Sequence, residues 1–196
     1  MISSGMTKEE ETIKFANIIH KEGVRLLGQI DSIINLSHLE EKSLESDYEA
    51  LDIYDIIETI LSQLKFRASD KNVKLNISRE HYEFRGNRRM IEELIINLVD
   101  NGIKYNHENG SVDVIIRKKD KSLSITVKDT GIGIPIKDQN RVFERFFMVD
   151  KSRSKKVQGT GLGLSIVKHI VEYHGGSISL KSELNKGTEI EVLLPI

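Results

Sequence analysis

Glu93, Asn97, Asn101 and Lys104 follow one another at intervals of four, four and three residues. On a helix turning about 100° per residue they fall within an arc of roughly 80°. Two carboxamide oxygens one turn apart suit a hard divalent cation that keeps several of its waters, and the lysine a turn further on offers a point charge to phosphate. Ile91, Leu94, Ile95 and Leu98 fill the neighbouring arc, so this polar ridge borders the buried stripe. From the helix alone, a metal and phosphate site and a solvated face decorated with asparagine fit equally well. Asp129-Thr-Gly-Ile-Gly133 then carries an aspartate onto a loop freed by Gly131 and Gly133 and stiffened by Pro135. An ionised carboxylate only accepts hydrogen bonds. It can take the exocyclic amine proton of adenine, whereas guanine presents a carbonyl there and leaves two acceptors facing each other. Adenine over guanine is the expectation.

Gly159-Thr160-Gly161-Leu162-Gly163 opens a helical stretch, so its glycines would let backbone approach a phosphate in front of a helix N-terminus. The spacing is neither the dinucleotide GxGxxG nor the GxxxxGK[ST] loop, and both of those folds are excluded. Between the two glycine segments, Arg141-Val-Phe-Glu-Arg-Phe-Phe147 is aromatic, and Lys151, Arg153, Lys155 and Lys156 come next in a stretch without apolar periodicity. A mobile basic lid over a triphosphate is one reading of it; a solvated charge run is the other.

The elements that must position these groups are read from periodicity. Apolar residues at helical spacing run from Glu10 to about Glu41, with Ile19, Leu26, Ile30 and Ile33 as the stripe. One amphipathic helix cannot bury its own stripe, so it needs a second helix, from this chain or another copy, or must fold back on the adjoining domain. Residues 1–9 are expected to be disordered or an inter-helix remnant, 10–41 a long helix, 42–49 a linker and 50–196 a compact domain. In that domain Ile53, Ile56, Ile57, Ile60, Leu61 and Leu64 mark a helix, Val73, Leu75 and Ile77 a strand, and Asn87 to Tyr105 a second helix. A hairpin over 112–127, a helix from Leu162 to His174 stopped by Gly175-Gly176, and a strand pair around Lys186-Gly187 complete it. Strands interleaved with few helices and no regular βαβ alternation predict a two-layer α/β sandwich, a mixed sheet with helices on one face.

Composition narrows the function classes. With 29 Lys+Arg against 30 Asp+Glu the net charge is -1, so no global field draws the chain to nucleic acid or to an anionic membrane. There is no cysteine for a thiolate nucleophile, and the six histidines lack zinc-ligand spacing. No apolar run approaches the roughly 18 residues a bilayer span needs, so no membrane contact is expected within the chain.

Four ordered motifs carry a resemblance. Asn97-Leu-Val-Asp-Asn101-Gly-Ile-Lys-Tyr105 is similar to the N box of the histidine kinase catalytic domain, Asp129–Gly133 to its first G box, Phe143-Glu-Arg-Phe-Phe147 to its F box and Gly159–Gly163 to its second G box. The resemblance spans residues 50–196 and implies the Bergerat-type ATP-binding fold shared with Hsp90-type chaperones, type II topoisomerases and MutL-type ATPases. It implies ATP and Mg²⁺ as ligands, with Asn101 on the metal, Lys104 on phosphate, Tyr105 packed on the nucleotide and Asp129 reading adenine. It extends the nucleotide-binding set to Asn97, Gly131, Gly133, Ile134, Phe143, Arg145, Gly159, Thr160, Gly161, Leu162, Gly163 and Thr188. Asn97 stands where the ATPase branches use a water-activating glutamate, which favours phosphoryl transfer to a protein histidine over hydrolysis. Met148 stands where many relatives have a phosphate-directed arginine, so Arg145 or Arg153 is expected to substitute. The stretch from Glu22 to Glu40 resembles the second helix of the dimerisation hairpin. No Pro follows His20 as it would the family's acceptor, so the acceptor histidine is expected on a first helix absent from this chain. Also implied are a second copy as partner, relay to a response-regulator receiver domain, and a cytoplasmic location in a membrane-anchored parent. A non-kinase ATPase and a nucleotide-holding module are the competing classes.

Overall fold

The computed structural model describes residues 12–20, 22–24, 26, 27, 30, 48–78, 80–149 and 160–196. Those described residues within 12–30 are helical and are called α1. Ile13, Ile18, Ile19, Leu26, Leu27 and Ile30 on it are all exposed. Residues 1–9, the stretch from 31 to 47 and residues 150–159 lie outside the described residues, and with them the expected linker up to 47, Gly159 and the basic segment.

From Tyr48 the order is β1 (Tyr48–Asp52), α2 (Ile53–Ser69), β2 (Lys74–Ile77), β3 (Glu83–Asn87), α3 (Arg88–Lys104), β4 (Ser111–Lys119) and β5 (Ser122–Asp129). After these come α4 (Ile136–Gln139), α5 (Gly163–Tyr173), β6 (Ser177–Glu183) and β7 (Gly187–Pro195). Both α2 and α3 start where a short polar side chain closes the first turn. The Asp52 carboxylate accepts from Tyr54 N at 2.9 Å, and Asn87 Oδ1 accepts from Met90 N at 3.1 Å. Ile53, Ile56, Ile57, Ile60, Leu61 and Leu64 form the buried face of α2, as their spacing predicts.

The five-stranded sheet runs β2-β4-β5-β7-β6, with β2 parallel to β4 and every other neighbour antiparallel. Strict alternation gives it one apolar face: Val112, Val114 and Ile116, then Leu123, Ile125 and Val127, then Ile190, Val192 and Leu194 are buried. Ile116, Ile125, Val192 and Ile178 form one cross-strand row of it. On the other face Ser124 and Lys119 both bond Glu191, at 2.8 and 3.3 Å. One core cluster joins the apolar sheet face to α2, α3 and α5. This is the expected two-layer α/β sandwich with a mixed sheet.

Two elements depart from the reading. Tyr48 and Glu49, assigned to the linker, begin β1, which pairs antiparallel with β3 in a separate two-stranded sheet. Each of these strands carries one buried large apolar residue, Leu51 opposite Phe84, too little for an alternation to register. The single turn of α4 was not expected either.

Candidate functional site

The ridge of α3 meets the start of α5. Asn97 Nδ2 donates to Glu93 O at 2.8 Å and to Glu93 Oε1 at 3.0 Å, which leaves its Oδ1 directed at the neighbouring helix. A Cβ on Gly163 would lie 2.8 Å from Asn97 Oδ1 and 3.6 Å from Asn101 Nδ2. The residue before Gly163, Leu162, is fully buried and gives α5 no side-chain cap. Thr160 Oγ1 accepts from Leu162 N at 3.3 Å, and Gly163, the first residue of α5, lies against both carboxamides, Asn97 turning its Oδ1 and Asn101 its Nδ2 that way. An uncapped helix N-terminus beside two carboxamides suits an anion with its counter-cation, and the Asn101 oxygen is a hard donor suited to Mg²⁺. Lys104, further along the ridge, has its pKa lowered by burial despite the Asp100 carboxylate nearby. Its ammonium is short of solvent and would gain from an anionic partner.

The C-terminal turn of α3, starting beside Asn101, meets the Asp129 loop. Gly102 lets that approach happen, since a Cβ there would lie 3.0 Å from Val112 and 3.6 Å from Asp129 Cβ. Asp129 Oδ1 accepts from Gly131 N at 2.7 Å and from Thr188 N at 3.2 Å. Its Oδ2 has no hydrogen bond among the described residues. Burial raises the carboxyl above the ordinary aspartate value, against the pull of those two backbone bonds. The loop is laced on both sides. Ile132 N donates to Tyr105 O at 3.1 Å, Ile134 N to Ser182 Oγ at 2.8 Å, and Gln139 Nε2 to Ile134 O at 2.9 Å. Ser182 Oγ also reaches Thr188 Oγ1 at 2.9 Å. Gly133, at φ +66°, abuts the Glu183 carbonyl so closely that a Cβ would overlap it.

The aromatic segment closes onto the second glycine segment. Phe146 N donates to Gly161 O at 2.8 Å, and Phe146 and Gly161 both have positive φ, +63° and +73°. A Cβ on Gly161 would lie 2.8 Å from the Phe146 carbonyl carbon. Phe143 is half-buried, Arg145 is exposed, and Arg141 rather than Arg145 stacks on Phe147, 4.3 Å from its centroid.

The structure therefore brings Asn97, Asn101 and Gly163 together. One turn on from Asn101, at the C-terminus of α3, it gathers Tyr105, Asp129, Gly131, Ile134 and Thr188, with Phe146 and Gly161 as a separate junction. Gly159 and Arg153 lie outside the described residues, and His20 is exposed on α1. Sequence reasoning missed Asn106, Ser182 and Gln139, whose bonds fix the loop; nothing in their spacing marks them. It also missed His174. Burial lowers its pKa, its Nδ1 lies 2.9 Å from Ile170 O, its Nε2 accepts from Asn87 N at 3.4 Å, and Tyr48 stacks on it at 5.3 Å.

The chain is 35% identical over 177 residues to the signal transduction histidine-protein kinase ArlS of Staphylococcus aureus strain USA300. The match covers 90% of this chain but only 39% of that protein's length. Among solved structures, a mycobacterial sensor histidine kinase, MprB, superposes with a TM-score of 0.67 at 28% identity over 76% of this chain and 97% of its own. Histidine kinase ThkA, solved in complex with the response regulator TrrA, shares the fold over 99% of this chain and 54% of its own, with a TM-score of 0.76 and 23% identity. Residues 86–196, over half of the chain and all of the site above, match the model of the histidine kinase-, DNA gyrase B-, and HSP90-like ATPases, and the chain belongs to that family.

Proposed function

We propose that this chain is the ATP-binding catalytic region of a two-component sensor histidine kinase, and that it transfers the γ-phosphoryl group of Mg-ATP to a histidine of the dimerisation hairpin other than His20. The observation that carries the reading is the uncapped start of α5 set against Asn97 and Asn101, with a half-buried carboxylate, one oxygen uncommitted, beside the last turn of the same α3. Adenine occupies the Asp129 end, its amine donating to Oδ2, with Tyr105, Ile134 and Thr188 around it and Phe143 and Arg145 contributing from the aromatic segment. The phosphates lie toward the amides of Gly161–Gly163, with Lys104 as their cation. Mg²⁺, held by Asn101, would neutralise phosphate charge when bound. Asn97 offers no carboxylate to activate water, and Glu93 Oε1 is engaged by the Asn97 amide. The histidine nitrogen then forms the new P–N bond as the bond to the β-phosphate oxygen breaks and ADP leaves. Such transfer works by positioning and charge stabilisation.

The parent's remaining partners belong to the same reading: a second copy meeting the exposed stripe of α1, and a receiver domain that takes the phosphoryl group onto an aspartate, as the name of the ThkA–TrrA complex suggests for that protein. No described helix is long and apolar enough to cross a membrane. On this reading the need for ATP puts the region on the cytoplasmic side, and the family resemblance implies a membrane-anchored parent. Calorimetric titration of ATP and GTP, with and without Mg²⁺, on the chain and on Asp129→Asn is the direct test. ATP should bind far more tightly than GTP and the substitution should abolish that binding; no binding of either nucleotide would refute the reading.

A further inference from the structure

Asn106 immediately follows the nucleotide-site tyrosine and is 8% exposed, yet all of its hydrogen-bonding capacity is spent. Its Nδ2 donates to Gly102 O at 3.0 Å and Ser111 O at 2.9 Å, and its Oδ1 accepts from His107 N at 3.0 Å and Thr130 Oγ1 at 3.2 Å. These partners come from the last turn of α3, the turn after it, the start of β4 and the loop after β5. Thr130 Oγ1 in turn accepts from Ser111 N at 2.9 Å. Thr130 sits between Asp129 and Gly131, and a Cβ on Gly131 would lie 2.9 Å from Asn106 Cα.

We propose that Asn106 is the positioning residue for base selection: it fixes the Asp129 loop from the side opposite Thr188, so that the uncommitted carboxylate oxygen stands where only adenine satisfies it. The proposal rests on the ATP-binding reading and refines it. Only a carboxamide fits the position. An aspartate would turn an acceptor toward two carbonyl oxygens, and an aliphatic side chain would leave two carbonyls, an amide and a hydroxyl unpaired. Glutamine is a methylene too long where Gly110 already touches the group, since a Cβ on Gly110 would overlap Asn106 Oδ1. Asn97 and the Gly163 that faces it lie well back from Asn106, whereas Asn101 adjoins Gly102 and Lys104 precedes Asn106 by two residues; GTP, which carries the same triphosphate, reports any loss at that end.

The test is competition titration of ATP and GTP against wild type, Asn106→Ala and Thr130→Val, the last removing a single hydroxyl of the network. In Asn106→Ala, ATP affinity should fall about tenfold or more while GTP affinity stays within about twofold, the loss expected when a polar network that is buried at Asn106 and Gly102 and open to solvent at Thr130 is broken at its buried member. Thr130→Val should move the same ratio in the same direction by less. A wild-type ATP:GTP preference in both variants would overturn the proposal, and so would a parallel loss for both nucleotides, the mark of a purely structural role. If Asn106→Ala does not fold, Thr130→Val decides by the same criteria. Absence of ATP preference in the wild-type chain would instead defeat the underlying nucleotide reading, so the two failures are distinguishable.

Discussion

Asp129 combines burial with a purpose that needs charge. Because burial raises its pKa, the folded chain holds that proton more tightly than the unfolded chain does. The contribution to stability is present at low pH and is lost as pH rises from the ordinary aspartate value through the raised one. Ligand affinity runs the other way, since the adenine amine needs an acceptor and binding strengthens over the same window. Thermal melts should show a pH-dependent difference between the ligand-free wild type and Asp129→Asn confined to that window, and ATP titrations should weaken on acidification sooner than an ordinary aspartate would predict. A second prediction concerns Lys104, desolvated on the ridge. Lys104→Met should cost about tenfold or more in ATP affinity, as charge-assisted phosphate contacts do, with no loss of melting temperature. Loss of stability without loss of affinity would place Lys104 in the fold instead of the site. At this scale legibility was uneven. The ridge could be read because helical period puts Asn97 and Asn101 on one line. Thr188 touches Asp129 through its backbone N–H, which every non-proline residue has, so only resemblance pointed to it. Asn106 bonds near neighbours at Gly102, His107 and Ser111, but its tie to the Asp129 loop runs through the chain-distant Thr130, which no local pattern connects to it.

Between elements, the proposed phosphate site depends on the approach of α5 to α3. Gly163→Ala should strengthen α5 as an isolated helix, alanine being about 1 kcal/mol better than glycine there, while placing a methyl 2.8 Å from Asn97 Oδ1. ATP affinity should therefore fall severalfold with melting temperature unchanged or raised; unchanged affinity would detach α5 from the site. A separate joint holds the β1–β3 sheet against the end of α5, through Tyr48 stacked on His174. Burial keeps His174 neutral by lowering its pKa, so its contribution to stability is present above the ordinary value of 6.5 and is lost as pH falls below it. His174→Phe keeps a ring against Tyr48 but cannot titrate. Below pH 6.5 its melting temperature should decline less steeply than wild type; parallel curves would show that the histidine is not the group responsible. The sandwich itself was plain in the sequence because each of its strands alternates over several residues. The β1–β3 pair was not, because Leu51 and Phe84 are single apolar residues that gain meaning only opposite each other.

At the scale of the molecule, among the described residues every member of the core cluster lies between Leu51 and Leu194. No described residue of α1 belongs to that core. A fragment of residues 48–196 should melt within a few degrees of the full chain and keep its ATP affinity, whereas sedimentation should show self-association only when the exposed stripe of α1 is present. A fragment that fails to fold would mean that the described core is incomplete. The carboxamide and carboxylate parts of the site also differ in readiness. The Asp129 carboxylate is oriented by Gly131 and Thr188 before any ligand arrives, so little ordering cost remains for the base. That preparation does not distinguish a substrate from the product it becomes. On the proposed reading ADP carries the same base and would meet the same carboxylate, so it would compete with its successor and occupancy would follow the ratio of charged to spent nucleotide. A kinase of the proposed kind would then temper its output by the energy state of the cell.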